Sequence, residues 1–173
     1  MDFELLKIIE RIDSNTWKNL NQLFSKEESI SQELLLKGIK ELIRNRFEKL
    51  SYGNLEVASK LYEIDSLSDA VLRNVVCRCY YAQYHAGRAL CLYLYRTDEP
   101  DAQKIIRKLR KRNINKLANT LELYISERNK YEYHILPEDV NIKEIAEYAL
   151  EDSNKFLEET KALLINWGIY NDE

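Results

Sequence analysis

Glycine and proline are almost missing: the chain has four Gly and two Pro in 173 residues. Tight chain reversals need the positive φ of glycine or the fixed φ of proline, so a protein built of many short strands is excluded. Histidine is scarcer still, with only His85 and His134. No grouping of carboxylates and histidines has metal-ligand spacing, so nothing requires Mg²⁺ or Zn²⁺, and no cofactor is expected. The three cysteines, Cys77, Cys79 and Cys91, are an odd number on one apolar stretch, which suits neither a disulfide framework nor a zinc site. They are expected to be free, buried and chemically idle in a reducing compartment. A run of eighteen apolar residues is lacking, and Asp2 and Glu4 stand where a signal peptide would begin with positive charge. A cytoplasmic protein without membrane contact is expected.

What the chain does have is Leu, Ile, Glu, Lys and Ala in patterns that favour long helices. Its length suits one hydrophobic core held without disulfides or metals. Ser25 with Glu28 forms a capping box before a helix bearing Leu34, Leu35, Ile39, Leu42 and Ile43. Gly53-Asn54 is expected to break that helix, which resumes over Leu55 to Ile64. Ser66 with Asp69 is a second capping box, opening a helix that runs to about Tyr95. Pro100 fits the first turn of a basic helix reaching Lys111, and another helix covers Ile114 to about Lys130. Pro137 stops helix at its position. Asn141 and Glu144 cap the last helix, which ends near Trp167-Gly168. The expected fold is all-α, an up-and-down helical bundle, with residues 1–50 as a helical extension packed on a bundle of residues 51–170.

The net charge of −3 makes the whole protein no attractor of nucleic acid. Its distribution is uneven. Between Lys104 and Lys116 lie Arg107, Lys108, Arg110, Lys111 and Arg112 with no acid among them. Such a run either faces water or supplies phosphate contacts, with Lys108 and Lys111 as candidates for the latter.

The helix from Ala70 to Tyr95 is apolar at nearly every position, which places it mid-bundle. Asn74, Arg78, Tyr81, His85 and Arg88 follow steps of four, three, four and three and so form one narrow polar stripe. Buried charge without partners is costly, so the stripe meets either carboxylates of neighbouring helices or a cleft for substrate or a second subunit. Small Ala86 and Gly87 beside it would allow another helix to come close.

Downstream, Glu127-Arg-Asn-Lys-Tyr-Glu-Tyr-His134 sets Arg128 and Asn129 before His134. Six positions on one helix point Arg128 and His134 to nearly opposite faces, so a joint role needs the helix to bend or end between them. Arg-to-His spacing alone is weak, and Arg78 to His85 is a second instance. Taken together, however, Cys79-Tyr-Tyr-Ala-Gln-Tyr-His-Ala-Gly-Arg-Ala-Leu, Arg128-Asn129 with His134, and Ile145-Ala-Glu-Tyr-Ala-Leu-Glu-Asp-Ser-Asn-Lys-Phe-Leu resemble the HEPN domains of prokaryotic defence and toxin systems. The resemblance covers about Leu55 to Leu164. It implies a four- to five-helix core with extra N-terminal helices and metal-independent endoribonuclease activity. Arg128, Asn129 and His134 would be catalytic. On such an enzyme the chain's own Arg78, His85, Arg88, Lys108 and Lys111 would contact RNA; Tyr131 and Tyr133, which flank the motif, are first of all core or interface residues and otherwise platforms on which bases stack. It also implies a homodimer and an antitoxin partner. A non-catalytic HEPN module binding nucleotide, nucleic acid or protein is the alternative. In one subgroup, four residues separate Arg and His and a Tyr follows two places later. Here five intervene and Leu136 stands at the Tyr position, so the likeness extends neither to modification of that tyrosine nor to a nucleotidyltransferase partner.

Overall fold

The computed structural model describes residues 32–64, 67–133 and 141–170. His134, Leu136, Pro137, Ser66 and the Ser25–Glu28 box lie outside them. The described residues are all-α: α1 (Gln32–Asn45), a π-helical segment (Arg46–Ser51), α2 (Tyr52–Tyr62), α3 (Asp69–Tyr95), α4 (Ala102–Arg110), α5 (Asn115–Tyr133) and α6 (Ile142–Asn166).

α3 is the axis on which every other element packs. Val75, Val76, Cys79, Ala82, Ala86, Ala89 and Leu90 are fully enclosed there, as expected for a helix apolar nearly all round. Paired contacts give the directions. Ser51 Oγ donates to Ala82 O, and Arg78 reaches back to Asn54, so α2 runs antiparallel to α3. Arg128 meets Tyr81 while Leu121 lies beside Gly87, so α5 is antiparallel as well. Ser153 lies by Cys79 and Gln83, and Trp167 stacks on Tyr93 at 4.5 Å, so α6 runs parallel to α3. The four long helices therefore alternate up and down in chain order.

The helix around Gly53 does not break. Instead, helix continues from 32 to 62 through the π-helical segment. Its core positions explain why. Ile39, Ile43, Phe47, Ser51 and Leu55 are buried at steps of four, and on a regular α-helix each step of four turns the face by about 40°. Widening the coil at Arg46–Ser51 keeps that stripe against α3. The first capping residue of α3 is Ser68, which accepts from Val71 N. At α4 it is Asp101, accepting from Gln103 N and Lys104 N, so Pro100 precedes the helix and is not in its first turn. Asn141 accepts from Glu144 N, as expected. Gly168, at φ +73°, ends α6: its own N–H bonds Ile165 O, and that of Ile169 bonds Leu164 O. Asn113, at φ 60°, closes α4 in the same way.

Ala86 and Gly87 do not await a second subunit. Ala86 is fully buried, and a Cβ on Gly87 would come within 2.9 Å of Ile105 Cγ2 and 3.4 Å of Leu121 Cδ2. The close approach they permit is that of α4 and α5 within this chain.

Candidate functional site

The polar stripe of α3 divides into two environments. Toward its start, Ala70, Arg73, Asn74, Cys77, Arg78 and Tyr81 face Tyr131 and Glu132 of α5 across an open groove of about 580 Å³. Antiparallel packing brings this about, setting the first turns of α3 against the last turns of α5. Arg78 is exposed and donates to Asn54 Oδ1 at 3.2 Å. Tyr131 is only 1% exposed, with its hydroxyl enclosed near Lys130 and Glu127. It is therefore a wall of the groove and not a platform for stacking. Tyr133, 64% exposed, can offer its face.

Behind Tyr81 and Glu132 sits Arg128, its side chain 20% exposed. It donates to Tyr81 Oη at 3.0 Å, Tyr133 Oη at 2.9 Å and Asn129 Oδ1 at 3.1 Å. It also pairs with Glu132 one turn on. The guanidinium carbon lies over three rings, 4.9 Å from the centre of Tyr133, 5.7 Å from Tyr81 and 5.8 Å from Tyr80. Burial works against this charge, but the Tyr81 hydrogen bond and the neighbouring groups outweigh it and raise the Arg128 pKa. The result is a fixed cation at the edge of the groove.

One to two turns along, the stripe is closed. Arg88 grips Asp98 with two hydrogen bonds, 2.8 Å from Nε and 2.6 Å from Nη2, and Arg46 pairs with the same carboxylate, which is 4% exposed. The acid that the stripe itself lacks comes from the loop after α3. Tyr84 covers the group, donating to Pro100 O at 2.8 Å with Arg88 over its ring. His85 lies beside them with a buried Nδ1 that has no hydrogen-bond partner among the described residues. Burial, then the charges of Arg46 and Arg88, lower its pKa to about 4 against the pull of Asp98. At neutral pH His85 is uncharged.

The basic segment is largely compensated. Lys108 bonds Glu99 at 2.8 Å, Arg110 bonds Glu122 at 2.6 Å, and Lys116 pairs with Glu159. Lys111 is exposed just past α4. Thus Arg78 and Tyr131 line the groove, Arg128 adjoins it through Tyr81 and Glu132 with Asn129 and Tyr133 bonded to its guanidinium, and His85, Arg88, Lys108 and Lys111 stand elsewhere. Arg73 and Glu132 belong to the groove and were not singled out from the sequence; antiparallel pairing of α3 and α5 would have pointed to them.

The cysteines are free. Burial pushes the Cys79 and Cys91 thiols up to about 12. Cys77 differs from the expectation of full burial, since it lines the groove and is partly exposed; its pKa is also raised, chiefly by burial. Among the described residues no three His, Cys, Asp or Glu side chains cluster as metal ligands, and no helix is long and apolar enough to cross a membrane.

No protein-family model matches this chain, and a search of curated proteins finds no match either.

Proposed function

We propose that the protein is a metal-independent endoribonuclease of the HEPN type, acting as a toxin or defence effector, with Arg128, Asn129 and His134 as its catalytic residues. One observation carries the reading: the arginine of the Arg-Asn…His motif is bonded to Tyr81 and Glu132, which line an open groove together with Arg73 and Arg78. Such a setting suits phosphodiester chemistry. In this reaction His134 takes the proton of a 2′-hydroxyl, whose oxygen attacks the adjacent phosphorus. Arg128 offers its planar fork to the phosphorane oxygens, where charge accumulates. The bond to the 5′-oxygen breaks and that oxygen gains a proton, leaving a cyclic phosphate and a 5′-hydroxyl. Asn129 orients the guanidinium it already accepts from. In the homodimer that the resemblance implies, two such sites share a cleft.

One feature favours a second reading, a non-catalytic module binding nucleotide, nucleic acid or protein. Arg128 is already engaged by Tyr81, Tyr133, Asn129 and Glu132, so a phosphate must displace some of these partners. End-group analysis separates the two readings. The nuclease leaves 2′,3′-cyclic phosphate and 5′-hydroxyl ends on RNA, and its expression alone arrests growth unless His134 is replaced. Intact RNA together with unaffected growth establishes the binding module instead.

A further inference from the structure

The groove between the start of α3 and the end of α5 has features that the cleavage reaction itself does not use. Cleavage needs Arg128, Asn129 and His134 at one phosphate. The groove extends beyond Arg128, past Tyr81 and Glu132, to Cys77, Arg78, Asn74 and Arg73. We propose that it is a subsite for one unpaired nucleotide of single-stranded RNA beside the scissile phosphate, with Arg78 holding the next phosphate along the strand. This rests on the nuclease reading of Arg128.

Four observations support the assignment. The first is size: about 580 Å³ accommodates a nucleotide. The second is charge. Arg73 and Arg78 are two arginines on neighbouring turns of α3, and no acid of that helix lines the groove. A fixed cation on a rigid helix suits a phosphate, and phosphate contacts set the register of a strand without reading its sequence. The third is the lining, where exposed Asn74, whose NH2 donates to Ala70 O, keeps an amide oxygen that can meet a base edge. Splayed bases are recognised by such polar edges, and that requires unpaired RNA. The fourth is continuity, because Tyr81 and Glu132 each touch both the groove and Arg128. A strand that fills the groove therefore passes directly to the motif arginine. As its phosphate reaches Arg128 it replaces Glu132, an exposed carboxylate paired one helical turn away.

Cys77 provides a direct probe, because it is the only one of the three cysteines that is not buried. The test uses the wild-type full chain and a short oligonucleotide with 2′-O-methyl groups, which keeps bases and phosphates but has no 2′-hydroxyl to attack. At saturation the single strand slows modification of Cys77 by a thiol reagent at least about fivefold. The same sequence as a duplex and a free nucleoside monophosphate at equal concentration leave the rate unchanged. Arg78→Ala weakens single-strand binding on the order of tenfold and lowers the slope of log K against log salt by about 0.7, as expected for one lost phosphate contact. Arg78→Lys restores the slope. An unaltered Cys77 rate, equal protection by duplex or by free nucleotide, or an unchanged salt slope in Arg78→Ala each overturns the proposal. Failure of the subsite is distinct from failure of the nuclease reading: RNA cleavage without Cys77 protection removes the subsite alone, whereas protection without cleavage removes the nuclease reading and with it the scissile phosphate, leaving only a groove that binds single strands.

Discussion

The two ends of the α3 stripe have similar residue types and opposite environments. At the Arg88 end, two arginines enclose the Asp98 carboxylate, Tyr84 covers it, and His85 is held neutral. At the Arg78 end, the stripe faces an open groove, and its neighbour Arg128 is held by neutral hydroxyls and an exposed carboxylate. A buried pair must be complete to be tolerated, whereas a cation bordering water can exchange partners. An arginine in such a stripe is therefore read as structural or functional by who supplies its counter-charge and how wet that partner is.

Breaking the closed end should have the largest effect. Asp98→Ala leaves Arg46 and Arg88 facing each other in a buried site, and the expected loss is about 3–5 kcal/mol of folding stability, measured by urea denaturation. A loss below about 1 kcal/mol would show that the cluster hydrates freely. Breaking the open end should do the reverse. Arg128→Ala is expected to reduce RNA cleavage about a hundredfold or more, the scale of a lost transition-state charge contact, while the midpoint of unfolding moves little. If it unfolds the protein instead, the aromatic setting of Arg128 is part of the core and the contrast between the ends disappears.

Gly87→Ala asks whether the small residues beside the closed end serve this chain or a second one. Because the new methyl meets Ile105 of α4, overpacking should cost about 1–3 kcal/mol, with no dependence on protein concentration. A stability loss that grows on dilution would place a subunit there. The smallest effect concerns pH. The His85 pKa is lowered from 6.5 to about 4 in the folded chain, so between those values the unfolded chain binds the extra proton. Stability contributed at neutral pH is therefore lost as pH falls from about 6.5 towards 4, and His85→Gln should flatten that part of the profile relative to wild type. Parallel profiles would mean that His85 titrates normally.

The helical class was legible because its signals are local: few Gly and Pro, a long apolar stretch for α3, and the Asn141 cap. The continuity of α1 into α2 was not, since Gly53 reads as a breaker and the buried step of four from Ile39 to Leu55 has meaning only against a partner helix. The stripe was visible as a stripe, but its division was not. Asp98 lies in a loop beyond the helix, and nothing in sequence spacing reveals that it turns back onto Arg46 and Arg88. The groove was half visible, through Asn74, Arg78, Tyr81 and Tyr131. Arg73 and Glu132 look like ordinary surface charges until α5 is laid antiparallel to α3.

The central claim is that chemistry belongs to the open end and to His134, not to the closed end and His85. The direct test is cleavage of single-stranded RNA by the purified chain in excess chelator, comparing wild type with His134→Ala and His85→Ala. Wild type is expected to cleave in chelator, His134→Ala to be slower by about a hundredfold or more, and His85→Ala to stay within a few-fold of wild type. Loss of wild-type cleavage in chelator would contradict that claim, as would normal cleavage by His134→Ala alongside an inactive, folded His85→Ala.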